Sequence, residues 1–161
     1  MRLLQILALS FLVLAAGCPK EKRALNIARK SVEISAQTVQ LADLQVSFLY
    51  QDAAETCLAS WDTRASYDAC IAKWDKTVLA VNAMKISLLS LETALDAWEA
   101  GSPNGRDNLL SAAACFVETM VNVQSLLAVL GTDVPAINQG LATVTGMFGE
   151  GGIACPQGGT P

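Results

Sequence analysis

The chain contains no histidine. That removes the side chain most used as a general base near neutral pH, and the commonest metal ligand. Aromatic side chains are scarce, nine in 161 residues, and proline occurs only at positions 19, 103, 135, 156 and 161. Long stretches are therefore free of helix breakers, and alanine, leucine and valine fill them, a composition that predicts an all-α fold. No alternating strand pattern runs longer than a few residues. Nor is there a phosphate-cradling glycine loop, a nucleophile elbow or a dense carboxylate constellation. Asp43, Asp52, Asp75, Glu92, Asp96 and Glu118 are dispersed and fall mostly off the apolar seams, as solvated faces do. Asp68 and Asp75 with Glu92, Asp96 and Glu99 make acidic patches on one predicted helix; solvated surface explains them more simply than metal binding. The reading is therefore of no enzyme, with no catalytic residue, no metal site and no cofactor.

What is present begins at the N-terminus. Met1-Arg2 is a short basic start, Leu3 to Leu14 is almost unbroken apolar chain, and Ala15-Ala16-Gly17-Cys18 closes it. A charged start, an apolar run and small residues ahead of a cleavage point form a secretory signal. Leu3 to Gly17 offers fifteen residues, where spanning a bilayer takes about 20. A cysteine directly after the small residues resembles the lipobox of bacterial lipoproteins. The resemblance covers Leu14 to Cys18 and departs from the commonest pattern in having Ala15, not leucine, three residues before the cysteine. It implies that residues 1–17 are removed as a signal peptide and that Cys18 is then acylated. It also implies export and membrane anchoring. Pro19 is not the aspartate of the inner-membrane retention rule, so the resemblance favours the periplasmic face of an outer membrane.

Removing residues 1–17 leaves 144, enough for one domain with a real core. The expected division is a lipidated N-terminus and short tether over 18–22, a helical bundle over 23–149, and a glycine-rich tail over 150–161 carrying Cys155. Charge is unevenly placed along it. Between Cys18 and Lys30 five basic residues (Lys20, Lys22, Arg23, Arg29, Lys30) stand against Glu21 alone, whereas from Ser31 onward five basic residues face fourteen acids. Lys20, Lys22 and Arg23 beside an anchor would be held by anionic headgroups, each adding up to ~1 kcal/mol; the alternative is that they simply solvate the first helical turns. The acidic body argues against a nucleic-acid partner.

Apolar spacing predicts four helices. The first runs from about Lys20–Arg23 to Cys57, with a seam at Leu25, Ala28, Val32, Ser35, Val39, Ala42, Val46, Leu49, Ala53 and Thr56, spaced three and four alternately. A second line, Ile27, Ile34, Leu41 and Phe48, recurs every seven residues and implies a second neighbour; dimerisation through one of the two lines is open. The second helix follows a turn over 58–63 with Asp62 or Thr63 as N-cap, and stops at Gly101. The third starts within Gly101–Gly105, capped by Ser102 or by Asp107, and ends at Gly131. The fourth, over about 134–149, is capped by Thr132 or Asp133, has Pro135 in its first turn, and is weakened by Gly140 and Gly146. A long hairpin and a shorter hairpin packed along it make an antiparallel up-down-up-down bundle.

Five cysteines are an odd number for an exported chain. Acylation takes Cys18. Cys57 and Cys70 lie symmetrically about the first turn, so an antiparallel hairpin brings them together. The far end of the fourth helix should lie beside residue 115, which pairs Cys115 with Cys155. A metal site is disfavoured by the lack of paired spacing and of histidine.

Trp61, in the turn near Leu58 and Tyr67, is the one candidate partner contact; folding back to cap the hairpin has the stronger claim, since an isolated aromatic usually finds local packing. The role that fits is a non-enzymatic, membrane-anchored envelope lipoprotein, structural or protein-binding, its protein partner unidentified. Two alternatives stand beside it. One is a phage-encoded lipoprotein for superinfection exclusion or lysis. The other is a carrier of apolar ligands in the bundle core, to which the small seam residues, Met84 and Met120 would contribute and which needs a continuous cavity of several hundred Å³.

Overall fold

A computed structural model of the protein describes residues 19–148. They form four helices, α1 (Pro19–Ala59), α2 (Arg64–Glu99), α3 (Gly105–Val129) and α4 (Pro135–Phe148), with no strand among the described residues. The fold is an all-helical bundle. The signal segment, Cys18, and the tail with Cys155 lie outside the described residues. Residues 19–22, expected to be part of a tether, already belong to α1.

Four cross-contacts fix α1 against α2. Arg29 Nη2 reaches Glu99 Oε1 at 2.8 Å, Lys85 pairs with Asp43, the Tyr50 hydroxyl donates to Asp75 Oδ1 at 3.1 Å, and Cys57 is bonded to Cys70. Residue numbers climb on α1 as they fall on α2, the register of two helices running in opposite directions. Ser87 and Thr119 share a hydrogen bond between α2 and α3 at 2.9 Å, and Gln124 Nε2 donates to Asn138 Oδ1 between α3 and α4 at 2.7 Å. α4 returns to α1, so packing runs around a ring of neighbours.

The core follows the main seams. Ala28, Val32, Val39, Ala42 and Val46 of α1 meet Val81, Met84, Leu91 and Leu95 of α2, with Leu109, Phe116, Met120 and Val123 of α3 and Ile137 and Val144 of α4. The outer ends of the α1 seam are less covered: Leu25, Leu49 and Ala53 are half-buried and Thr56 is exposed.

The second apolar line of α1 behaves differently from expectation. Ile27, Leu41 and Phe48 are exposed and only Ile34 is half-buried. The second neighbour, α4, meets α1 instead at Thr38, one of three small polar residues buried on that helix. Ser31, Ser35 and Thr38 are buried, and their hydroxyls donate to the carbonyls of Ile27, Ser31 and Ile34 one turn back. A hydroxyl satisfied within its own helix can be buried without a penalty for an unmade bond. Gly140 of α4 completes that contact, since a Cβ there would lie 2.3 Å from Thr38 Cγ2. Its lost helix propensity is exchanged for close approach.

The turns also correct two expected caps. Gly101 and Gly131 hold positive φ (81° and 70°) one residue past the C-caps of α2 and α3, Ala100 and Leu130. In both, the following amide donates back five residues, Ser102 to Ala97 and Thr132 to Leu127. These are Schellman closures. Ser102 is thereby committed to ending α2, and the residue before α3 is Asn104, which makes no side-chain cap bond; Asp107 lies inside α3. α3 can begin at Gly105 because that residue sits against the Trp98 backbone, where a Cβ would lie 2.4 Å from Cα. Thr132 is used likewise, and the Asp133 carboxylate accepts from the Asn138 side chain at 2.6 Å. α4 opens directly on Pro135, whose missing N–H costs nothing at that position.

Candidate functional site

The α1–α2 turn is pinned twice. Thr63 caps α2 as expected: the Ser66 amide donates to Thr63 Oγ1, and the Thr63 amide donates to Ser66 Oγ, each at 3.3 Å. One turn below, Cys57 and Cys70 are bonded across the hairpin with Cα atoms 5.9 Å apart, the pairing expected from their positions about the turn. Cys57 is buried and Cys70 exposed. Trp61 lies between these pins. Its ring meets Tyr67 edge to face, centroids 6.3 Å apart and planes at 72°, while half of the residue (50%) stays open to solvent. Folding back and outward display therefore both describe it: one edge packs, the rest is presented. Leu58 is exposed beside it in sequence, so the tip offers apolar surface on a rigid support, as partner-binding anchors do.

Below the tip, Tyr50 and Asp75 border a groove of about 570 Å³ with Ser47, Gln51, Val78 and Leu79. Burial, and then the hydrogen bond and negative charge of Asp75, raise the pKa of the Tyr50 phenol above its ordinary 10.0. The phenol stays protonated near neutrality and works as a structural donor.

The opposite end gathers cations. Lys20 lies in the first turn of α1, and Lys22, Arg23 and Lys30 are exposed. Arg29, the remaining member of the basic run, is taken up by Glu99. Arg106 of α3 joins this end, where it borders a cleft of about 220 Å³ with Ala24, Ile27, Ala28, Ser31, Trp98 and Leu109. Nothing in the local sequence signals that placement, which comes from α3 running back along α2 to the level of the start of α1.

Cys115 is disulfide-bonded, and its expected partner Cys155 lies outside the described residues. Its position on α3 departs from the expectation that residue 115 lies beside the fourth helix. Thr119, one turn further on, faces α2, whereas Gln124, nine residues on and half a turn around, faces α4. Cys115 is thus on the α2 flank of α3, away from α4.

The dispersed acids do not converge. Among the described residues no group of three His, Cys, Asp or Glu is placed to hold a metal ion. Asp68 is within 3.9 Å of Arg64, Asp75 is bonded to Tyr50, and Glu99 to Arg29. Met84 and Met120, on which a ligand-carrying core would draw, are fully buried members of the packed core. By length and composition alone α2 and α3 are long and apolar enough to cross a membrane; both also supply the largest buried side chains of the bundle, among them Leu91 and Phe116. No protein-family model, no curated protein and no solved structure matches the chain.

Proposed function

We propose that the protein is a non-enzymatic envelope lipoprotein, anchored through acylated Cys18, that holds the α1–α2 tip away from the membrane for another protein to bind. Its fold would be the full up-down-up-down bundle, the long hairpin and the shorter hairpin stapled by Cys57–Cys70 and Cys115–Cys155. The observation that carries this reading is the cysteine bookkeeping. Cys57 and Cys70 are bonded to each other and Cys115 is bonded elsewhere, which leaves Cys18 and Cys155 as its possible partners.

Distance separates the two. Cys18 directly precedes Pro19, the first residue of α1. Ala24–Ser31 of α1 face Arg106–Leu110 of α3 across one cleft. Pro19 lies more than a turn below that level and Cys115 more than a turn above it. At 1.5 Å per residue the separation is roughly 15 Å or more along the bundle, and a disulfide needs Cα atoms within about 7 Å. That separation supports Cys155 as the partner and Cys18 as the thiol that would carry lipid.

The rest of the layout agrees with this reading. Lys20, Lys22, Arg23 and Arg106 stand at the end that would meet anionic headgroups, and Trp61 at the far end of a helix ~60 Å long. Mass spectrometry of the mature product tests the anchor: an N-terminal peptide starting at lipid-modified Cys18 and a Cys115–Cys155 linked peptide are expected, and an unmodified N-terminal region or an alkylated Cys115 would sink it. Capture from detergent-solubilised envelope tests the tip. A specific partner held by the wild type and lost on Trp61→Ala is expected; equal recovery by both removes Trp61 from the contact.

A further inference from the structure

The second apolar line of α1 is largely left uncovered by the described residues. Taken with its neighbours it is a complete second seam: Ile27, Ile34, Leu41 and Phe48 repeat every seven residues, and Lys30, Gln37, Leu44 and Gln51 fall between them. The alternation of three and four is that of a coiled-coil seam. Exposure rises along it toward the tip, 51% at Leu41, 57% at Leu44 and 70% at Phe48, as the helix leaves the level covered by α4. We propose that this face of α1 pairs with the same face of a second copy, the two helices parallel, with Leu41, Leu44 and Phe48 at the centre of the contact. The parallel sense rests on the anchored reading, because two copies held by Cys18 in one membrane point the same way.

Charge favours a second copy over an arbitrary partner. From Ser31 onward the chain carries five basic residues against fourteen acids, so two bodies repel over most of their surface. Residues 34–51 of α1 contain one charged side chain, Asp43, and Lys85 of the same chain neutralises it. A self-complementary interface brings like residues together, and this uncharged stretch of roughly 25 Å is where that carries no electrostatic cost. On α2, Leu79, Ile86 and Leu89 are comparably exposed, but Lys76 and Glu92 flank that stretch at its two ends. The seam is short, so its affinity in free solution would be low. Confinement of both copies to one membrane raises their effective concentration, and the polar Lys30, Gln37 and Gln51 positions set the register at some loss of stability.

Cross-linking of the full acylated chain in membranes tests this. Leu44→Cys treated with a short bis-maleimide is expected to give a band of twice the monomer mass, and Leu79→Cys, on the outer face of α2, to stay monomeric. Leu44→Glu with Phe48→Glu in the background of a Leu41→Cys reporter on the same seam should abolish the Leu41 cross-link expected without them, with helix content and melting unchanged because both side chains are solvent-exposed. Failure of Leu44→Cys to cross-link, or equal yields from Leu44→Cys and Leu79→Cys, overturns the proposal. Fractionation of the same cells reads the anchor separately: a chain recovered as soluble defeats the proposed function, and the pairing is then decided by the same cross-links in solution.

Discussion

The α1–α2 hairpin has two halves built on one repeat and held in different ways. In the half nearer Pro19, α3 and α4 close the ring, and Met84, Leu91, Phe116 and Met120 are sealed from solvent. In the part nearer the turn the two helices have only each other among the described residues; Cys57 and Ile71 are the buried apolar residues there beyond the main core, while Phe48, Leu58 and Leu79 are exposed. The three-four alternation runs through both without a change. A heptad therefore says where a helix can accept a neighbour, and the lengths of the other helices decide whether one arrives. Where it does not, a pair of helices buries too little to hold itself together, and the covalent bond between Cys57 and Cys70 does what the absent helices do elsewhere.

The sharpest way to break that comparison is to cut the two halves equally. Phe116→Ala should cost about 3–5 kcal/mol and Ile71→Ala no more than about 2 kcal/mol in urea unfolding. Equal losses would mean the outer half is packed as tightly as the inner. Removing the staple with Cys57→Ala and Cys70→Ala should cost ~3 kcal/mol on a chain-entropy account. Amide exchange should then rise over residues 50–75 and stay low across Met84 and Phe116; a rise spread evenly over both halves would show them to be one cooperative unit. Smaller and opposite in sign are two glycine replacements in α4. Gly140→Ala should destabilise by about 1–3 kcal/mol through its clash with Thr38. Gly146→Ala, with nothing within 4 Å of its Cβ position, should stabilise by up to about 1 kcal/mol.

The smallest effect is a titration. Burial and Asp75 raise the Tyr50 pKa above 10.0, so at alkaline pH the native state keeps a proton that the unfolded chain releases. That contribution is intact below pH 10 and is lost as pH rises through the folded value. Tyr50→Phe should flatten the alkaline decline of stability, most visibly in exchange at the outer half.

Much of this architecture was legible in the residues, and the failures share a cause. Helix limits, the Thr63 cap, the Cys57–Cys70 bridge and the buried face of α3 follow from spacing and turn chemistry, which act locally. The α1–α4 contact did not, because Thr38 looks polar and Gly140 looks weak; only burial of a back-bonded hydroxyl against a glycine turns them into an interface. Ile27, Leu41 and Phe48 misled in the opposite way, since an apolar line demands cover without naming who supplies it. Ser102 and Thr132 were plausible caps for the helices after them and are spent on the helices before. Arg106 joins the basic end through packing alone.

One consequence follows from where α1 starts. Pro19, the residue after Cys18, already belongs to α1. On the anchored reading α1 is a mast stepped directly into the lipid, and its length is a lever arm of ~60 Å. A sideways load on Trp61 is then felt as torque at the bilayer, so whatever grips the top of the molecule also sets the tilt of its foot.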